Sequence, residues 1–281
     1  MKLSAFILAA GLGDRLQPIT KCLPKPLIPI LGKPVLQTVI EKVSFVTDRI
    51  GVNLHYKRDF IEDWIIRSGF VDMIKLFPED PALGTGGALR NAEAFLEDGS
   101  FLVHNSDIIS DMDLMELIGC HLSSGNLATL AVHNRPEFNK LVINEQGDLK
   151  APDGNPADTD RLLAFTGVAV YRPEFLQLLP PGISSVVHAW FKAIASGHRI
   201  GTLDVSGCYW TDIGTPASYA KAVIRELNRD GETVYIHPAI TWCNNATLDG
   251  HVVIEKDSSC DRVSLLKNCI ILPGTDITMN G

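Results

Sequence analysis

Glycines and fixed positive charges crowd one segment near the start of the sequence, residues 8–27, in a pattern that suits phosphate chemistry. Gly11 and Gly13 allow positive φ and let backbone N–H groups approach a nucleotide with no Cβ in the way. Arg15 and Lys25 supply positive charge to a triphosphate. Prolines on both sides of Lys25 restrict its backbone and so aim its ammonium group. The segment therefore predicts a site for a nucleotide.

Two other phosphate-binding patterns do not fit this segment. The dinucleotide fingerprint G-x-G-x-x-G needs a glycine where Leu16 stands. The P-loop pattern G-x-x-x-x-G-K-[ST] is absent from the sequence, because Gly32 and Lys33 are followed by Pro34. Both classes of nucleotide-binding protein are therefore disfavoured.

Five segments, in this order, resemble the sugar-1-phosphate nucleotidyltransferases, also called nucleotide-sugar pyrophosphorylases. Residues 8–27 resemble the family signature, 79–89 its base-binding loop, 101–107 its metal-binding strand end, 165–168 its sugar-side strand and 210–216 its second metal segment. The resemblance covers essentially residues 1–228. It implies an enzyme of the EC 2.7.7 class that joins a nucleoside triphosphate to a sugar 1-phosphate and releases pyrophosphate.

The resemblance also implies roles for matching residues. Asp107 and Asp212 are expected to bind one Mg²⁺ that bridges the phosphates, because hard oxygen ligands suit this ion. Arg15 would stabilise the departing pyrophosphate, and Lys25 would hold the α-phosphate or the incoming sugar phosphate. The other predicted nucleotide-binding residues are Ala9, Ala10, Gly11, Gly13, Gly84, Thr85, Gly86 and Asn105, and the sugar-phosphate residues are Thr166, Gly167 and Asp212.

Two departures from the family pattern concern the sugar. Many relatives carry an E-K-P string before the Thr-Gly strand, and residues 149–154 lack it, although Lys150 offers a cation there. Ser106 stands where relatives often have glycine, and its Cβ is expected to crowd the phosphate side. Residues 52–56 and 83–87 resemble bacterial mannose- or heptose-1-phosphate guanylyltransferases and N-acetylmuramate 1-phosphate uridylyltransferase. This analogy favours GTP over UTP.

Two other functions stay open. The string Asp111-Met112-Asp113 is a D-x-D pattern of the kind that metal-dependent glycosyltransferases use on a similar fold. Capping of the following helix by Asp111 explains the string more simply. The second alternative is a catalytically weak regulatory relative, against which the joint presence of Arg15, Lys25, Asp107 and Asp212 counts.

Composition and charge limit the binding partners and the cellular compartment that we expect for this protein. A net charge of -8 over 281 residues gives no basic patch for a nucleic acid. The six cysteines are scattered with no C-x-x-C pair, which predicts a reduced, cytoplasmic setting, and the eight histidines show no metal-ligand spacing. No apolar run approaches the ~20 residues of a membrane helix. The apolar start resembles a short signal peptide, but residues 11–15 stand where the cleavage region should be, so a signal peptide is not expected.

The elements that must position these residues follow from hydrophobic periodicity. From residue 3 to about 230, strand-length apolar runs alternate with helical stretches, which predicts an α/β, Rossmann-like (GT-A-like), mostly parallel sheet with helices on both faces. We expect the site in the crevice at the carboxyl ends of the strands. The predicted helices are 34–46, 58–68, 86–96, 112–123, 185–196 and 216–228, and the strands 3–9, 50–54, 101–105, 127–133, 140–144, 166–171 and 199–203.

A different period begins after about residue 232. An apolar or small residue recurs at every sixth position, at Ile236, Trp242, Leu248, Ile254, Cys260, Leu266 and Leu272. This hexapeptide repeat predicts a short, left-handed β-helix, with an irregular β tail as the alternative. We therefore divide the chain into a catalytic domain, residues 1–231, and a tail, residues 232–281. So short a solenoid exposes its last coil, which either homo-oligomer contacts of the tail or a continuation of the repeat is expected to cover.

Overall fold

The computed structural model describes residues 3–152, 157–243, 246–260 and 265–277. Its helices are α1 (Ile19–Cys22), α2 (Val35–Ser44), α3 (Arg58–Arg67), α4 (Gly84–Asn91), α5 (Glu93–Leu96), α6 (Leu114–Ser123), α7 (Val186–Ala195) and α8 (Pro216–Arg229). Its strands are β1 (Ser4–Leu8), β2 (Pro29–Ile30), β3 (Lys33–Pro34), β4 (Ile50–Leu54), β5 (Ile74–Pro78), β6 (Phe101–Asn105), β7 (Ile108–Ser110), β8 (Ala128–His133), β9 (Leu141–Ile143), β10 (Arg161–Tyr171), β11 (Ile200–Asp204), β12 (Trp210–Asp212), β13 (Val234–Ile236), β14 (Thr247–Ile254), β15 (Ser259–Cys260), β16 (Leu265–Ile271) and β17 (Asp276–Ile277).

The central sheet has the order β11-β8-β10-β6-β1-β4-β5, with β9 paired to β10, in the part of the chain that the structure describes. Strands β4, β1 and β6 are parallel neighbours, as are β4 with β5 and β8 with β11. Strand β10 runs antiparallel to β6, β8 and β9. No helix lies between β8 and β10 among the described residues, and without such a crossover β10 returns antiparallel. The predicted mostly parallel α/β sheet is confirmed.

Helices cover both faces of this sheet, because neighbouring residues of a strand point to opposite sides. On β1, Ala5 and Ile7 pack into a core with residues of α2, α3 and α6. Phe6 packs into a second core with residues of α4, α5 and α7. The continuously apolar first strand is thus buried on both faces, as its sequence predicts.

Five strands before the tail lie outside the sequence-based prediction: β2, β3, β5, β7 and β12. Strands β7 and β12 have three residues each, which is too short for hydrophobic periodicity to reveal. The predicted helix 86–96 is divided at Ala92 into α4 and α5. The predicted strand 166–171 begins earlier, at Arg161. The predicted loop 146–160 lies partly outside the described residues.

The tail stacks short parallel strands. Val234 pairs with Val252 and Thr247 with Leu265, separations of 18 residues, or three hexapeptides. The register then shifts, so that Ile236 and Ile254 align with Ile271 instead of Leu272. Five of the predicted core positions share one cluster: Ile236, Trp242, Leu248, Ile254 and Leu266. The hand of the coil and the domain boundary stay predictions.

The tail also packs on the rest of the chain. Val253 of β14 belongs to a cluster with Leu16, Ile28, Ile213 and Tyr219. The buried Glu255 accepts a hydrogen bond of 3.1 Å from the N–H of Gly32, in the turn between β2 and β3.

No helix of the described ranges has the length and apolar character needed to cross a membrane.

Candidate active site

Two short strands bring the predicted metal ligands together. Asp107 lies in the turn between β6 and β7, and Asp212 ends β12. Strands β7 and β12 pair antiparallel with Asp212 opposite Ile108. The N–H of Ile213 donates to the carbonyl of Asp107 at 3.1 Å, which extends the pairing by one residue. The backbone therefore fixes the two aspartates as neighbours.

Lys25 joins the two aspartates. Its Nζ donates to Oδ2 of Asp107 and, at 3.3 Å, to Oδ1 of Asp212. The Lys25 side chain is only 11% exposed, and a buried ammonium is stable when carboxylates compensate it. Arg15 extends the cluster, because its Nη2 lies 3.3 Å from Oδ2 of Asp212 while its side chain stays 65% exposed. The four predicted catalytic residues form one connected group.

The donor atoms of this group fit a divalent cation. Oδ1 of Asp107 is buried and has no hydrogen-bond partner within the described ranges. Mg²⁺ is commonly held by one or two carboxylates together with substrate phosphates and water. A pair of aspartates is therefore a sufficient protein contribution, and the described residues hold no larger group of acidic, histidine or cysteine ligands.

A cleft of about 780 Å³, called the first cleft here, opens beside Asp107. Most of the predicted nucleotide-binding residues line it: Ala9, Ala10, Gly11, Lys25, Gly84, Thr85, Asn105 and Asp107. Ser106 lines it as well and is buried, so its Cβ occupies the position where crowding is expected. The structure thus places the signature loop, the start of α4 and the end of β6 around one cavity.

Three predicted nucleotide-binding residues lie outside the lining of this cleft: Gly13, Arg15 and Gly86. Gly13 has a φ of 72°, and a Cβ on it would lie 2.7 Å from the methyl group of Thr20. Because the Thr20 hydroxyl also donates to the Gly13 carbonyl at 3.0 Å, Gly13 shapes the loop. The positive φ expected of both loop glycines occurs at Gly13 alone, while Gly11 faces open space.

Gly86 is turned toward another segment. Its N–H donates to the carbonyl of Ser184 at 2.9 Å, and a Cβ on it would lie 3.0 Å from the Ser185 backbone. Gly84, with a φ of 70°, approaches the same Ser184 carbonyl while it also lines the cleft. The predicted base-binding contact is therefore available to Gly84 and Thr85, whereas Gly86 serves the packing of α4.

Asn53 and Glu79 hold the first cleft together and are absent from the residues predicted from sequence. Oδ1 of Asn53 accepts from the N–H of Ala9 at 2.7 Å, and its Nδ2 donates to Oε1 of Glu79 at 2.8 Å. Oε2 of Glu79 accepts from the N–H of Leu83 at 2.8 Å. The available signal was an asparagine inside the otherwise apolar strand β4, where a polar side chain needs a partner.

The predicted sugar-side residues lie at an irregularity of β10, where the register shifts between Phe165 and Ala169. Gly167 has a φ of 84°, and a Cβ on it would lie 2.8 Å from the Asn105 amide nitrogen. Thr166 is buried, and its hydroxyl donates to the Ala131 carbonyl at 2.8 Å. This geometry gives the Thr166 side chain a structural contact and does not support the predicted contact with a sugar phosphate.

The D-x-D string is used in a different way from the one expected. The residue that caps α6 is Asp113, whose Oδ1 accepts from the N–H of Met115 at 2.8 Å. Asp111 instead accepts from the N–H of Tyr209 at 2.7 Å. The prediction that Asp111 is the cap was wrong, because β7 turns Asp111 toward the strand that carries Asp212.

Two other candidate groups have local roles. Burial lowers the pKa of His104 to about 4, and its Nδ1 lies 2.8 Å from the Asn105 carbonyl oxygen, so this ring stays neutral in the core. Lys150, considered for the sugar phosphate, donates to Oδ2 of Asp160 at 2.7 Å. This hydrogen bond lowers the pKa of the Asp160 carboxyl group.

Asp212 lines a second cleft, of about 970 Å³. Arg15 and Asp212 border it, with residues 209–211 and the first turns of α8. Lys25 lines the first cleft and donates to Asp212, which lines the second, so its ammonium group connects the linings of the two clefts.

Most of the chain is similar to one known protein family. The family described as Nucleotidyl transferase matches residues 4–229. The chain belongs to the nucleotidyl transferase family. The predicted resemblance is thereby confirmed.

Individual relatives are similar over most of this chain. The bifunctional protein GlmU of Methanocaldococcus jannaschii is 29% identical over 263 residues, which cover 90% of this chain and 60% of that protein. The chain thus spans about three-fifths of the length of these relatives. Mannose-1-phosphate guanyltransferase of Hypocrea jecorina is 26% identical, with 98% of this chain and 83% of that protein covered. The crystal structure of HddC from Yersinia pseudotuberculosis complexed with GMP-PN matches 80% of this chain and all of that chain, with a TM-score of 0.65 and 25% identity.

Proposed function

We propose that this protein transfers a nucleotidyl group from a nucleoside triphosphate to a sugar 1-phosphate and releases pyrophosphate. The observation that carries the proposal is the contact of Lys25 Nζ with Asp107, which lines the first cleft, and with Asp212, which lines the second. A reaction that joins two phosphate-bearing substrates needs charge neutralised at their point of contact. Family membership supports the same activity.

The chemistry asks little of the side chains beyond charge and position. An oxygen of the sugar phosphate forms a bond to the α-phosphorus, and the bond from that phosphorus to the bridging oxygen breaks, so pyrophosphate leaves with the electron pair. No general base is required, because the attacking oxygen is already ionised. Lys25 would hold the α-phosphate or the incoming phosphate, and Arg15 the leaving pyrophosphate.

Asp107 and Asp212 would hold the Mg²⁺ ion, which would supply positive charge to the phosphates when bound. The buried, unpartnered Oδ1 of Asp107 supports this assignment. The first cleft would take the nucleotide, with Gly84, Thr85 and Asn105 among its contacts.

For the substrates we propose GTP ahead of UTP, and a mannose-, heptose- or N-acetylmuramate-type sugar 1-phosphate. The relative named a mannose-1-phosphate guanyltransferase and the HddC complex with GMP-PN support the guanine nucleotide. A relative from Synechocystis, 29% identical and named UTP--glucose-1-phosphate uridylyltransferase, supports the uridine nucleotide. The tail is proposed as the homo-oligomer contact and as a left-handed β-helix.

The deciding experiment is pyrophosphate release with Mg²⁺, from a panel of nucleoside triphosphates crossed with hexose, heptose and N-acetylated sugar 1-phosphates. Release that requires both substrates is expected, and it names them. Silence across the panel from a folded protein would favour the regulatory relative. Consumption of a nucleotide sugar without pyrophosphate release would favour the glycosyltransferase, which the use of Asp113 as a helix cap disfavours.

A further inference from the structure

Basic side chains outnumber acidic ones in the lining of the second cleft. Its basic residues are Arg15, Arg135, Lys221 and Arg225, and its acidic residues are Glu137 and Asp212. Arg15 is paired with Asp212, and Arg225 with Glu226 and Asp111. Lys221 forms no ion pair with any described residue, and neither does Arg135. The cleft therefore has two basic side chains to offer an anionic ligand.

Arg135 is held in place with most of its hydrogen-bonding capacity unused. Its Nη2 donates to the Trp210 carbonyl at 2.9 Å, while its Nε is buried without a partner in the described part of the chain. A guanidinium group has five N–H donors, and a buried donor left unpaired costs free energy. The bond to Trp210 fixes this charge two residues before Asp212, the carboxylate that Lys25 contacts.

Aromatic rings form the apolar part of the same cleft. Phe138 stands edge-on to Trp210, with ring centroids 5.8 Å apart, and is 43% exposed. Arg225 lies 3.5 Å over the ring of Tyr209. The exposed Phe138 ring gives apolar surface to the carbon face of a sugar, whereas pyrophosphate has no such face to cover.

We propose that Arg135 and Lys221 form the subsite that binds the phosphate of the sugar 1-phosphate in the second cleft. They do the work of the lysine in the E-K-P string, which this chain lacks, while Lys150 is engaged with Asp160. The inference rests on the proposed function, and it names the residues that bind the acceptor substrate, the sugar 1-phosphate. Pyrophosphate carries the same kind of negative charge as the sugar phosphate. The exposed Phe138 ring favours the sugar phosphate, because pyrophosphate has no apolar face.

The test measures KM for each substrate separately. Arg135→Gln is expected to raise KM for the sugar 1-phosphate at least tenfold, and Lys221→Gln severalfold, with kcat and KM for the nucleoside triphosphate close to wild type. Arg135→Lys is expected to recover part of the loss, because it keeps the charge and loses the planar fork. Arg67→Gln, an exposed change on α3, is the matched control.

Several outcomes would overturn the subsite. They are an unchanged KM for the sugar 1-phosphate in both variants, an equal rise for the nucleoside triphosphate, or a rise confined to pyrophosphate in the reverse reaction. Arg135→Gln also removes the bond to Trp210, so Lys221→Gln, which breaks no described ion pair, separates binding from structural damage.

Calorimetric titration of the full chain with inorganic phosphate, without nucleotide, separates this inference from the proposed function. Binding that both variants weaken supports the subsite even if the wild-type protein turns over no substrate. Turnover by wild type with unweakened phosphate binding in both variants would sink the subsite and leave the proposed function standing.

Discussion

At the scale of single residues, the buried charge of Lys25 is the most informative feature. Two carboxylates compensate one ammonium, so removing either carboxylate leaves Lys25 with a weaker environment and the phosphates without a metal ligand. The same three groups connect the linings of the two clefts, which links their electrostatics to the proposed reaction.

Asp107→Asn and Asp212→Asn are expected to abolish turnover, a loss of more than about 10³-fold, because both remove charge needed by Mg²⁺ and Lys25. Pyrophosphate release measures the rate, and circular dichroism checks that the fold is intact. Asp63→Asn, on the exposed face of α3, is the control and should keep wild-type activity. Normal rates in both active-site variants would refute their role.

Gly167→Ala is expected to destabilise the protein and impair turnover. Its φ of 84° costs an alanine about 1–2 kcal/mol, and the added Cβ would press on Asn105 in the first cleft. Gly197→Ala is the matched control, since Gly197 has a φ of 81° with nothing within 4 Å. Thermal unfolding of both variants isolates the contact with Asn105, and equal stability losses would show that the contact carries no cost.

At the scale of elements, the first cleft depends on the bonds of Asn53 and Glu79 that tie β1 and β4 to the turn before α4. Asn53→Leu leaves the Ala9 N–H and a Glu79 carboxylate oxygen buried without partners. We expect a loss of about 3 kcal/mol in the free energy of unfolding. Urea titration measures it, and Asn91→Leu, at an exposed end of α4, should change stability by less than about 0.5 kcal/mol. Equal losses of unfolding free energy in Asn53→Leu and Asn91→Leu would refute the stabilising role of the Asn53–Glu79 hydrogen bonds.

The sequence predicts features that lie within one segment better than contacts that join two distant segments. Asp107 and Asp212 were recognised from motifs, and the long elements from their periodicity, because both signals are local. The Asn53–Glu79 bond and the pairing of β7 with β12 join distant segments, and no local pattern announces them. The register shift that replaces Leu272 by Ile271 is equally invisible to a strict count of six.

At the scale of the whole molecule, Glu255 connects the tail to the turn that follows the Lys25 segment. Burial raises the pKa of its carboxyl group, while N–H groups of Gly32 and Leu31 oppose that rise. Folding therefore favours the protonated form, so the stability linked to this group is full below the ordinary glutamate pKa and is lost as pH rises through the raised value.

Glu255→Gln should accordingly remove this loss, since an amide keeps an acceptor for Gly32 and carries no charge. We expect the variant to gain stability relative to wild type as pH rises from about 4 to 8. Chemical denaturation at each pH measures it, with the exposed Glu232→Gln as control. Lys256 lies close enough to lower the pKa of Glu255, and Tyr219 and Tyr235 also face it. A pH-independent difference between variant and wild type would contradict the assignment.

The cluster that contains Val253 has a consequence for the order of folding. Leu16 and Ile28 flank Lys25 in sequence, yet they share a buried cluster with Ile213, Tyr219 and Val253, which are synthesised much later. Contacts between such distant segments close late, so a nascent chain would complete its sheet before its phosphate site. Native-state hydrogen exchange tests this coupling: the amides of Leu16 and Val253 should open with the same free energy, and independent opening would show that the tail folds as a separate unit.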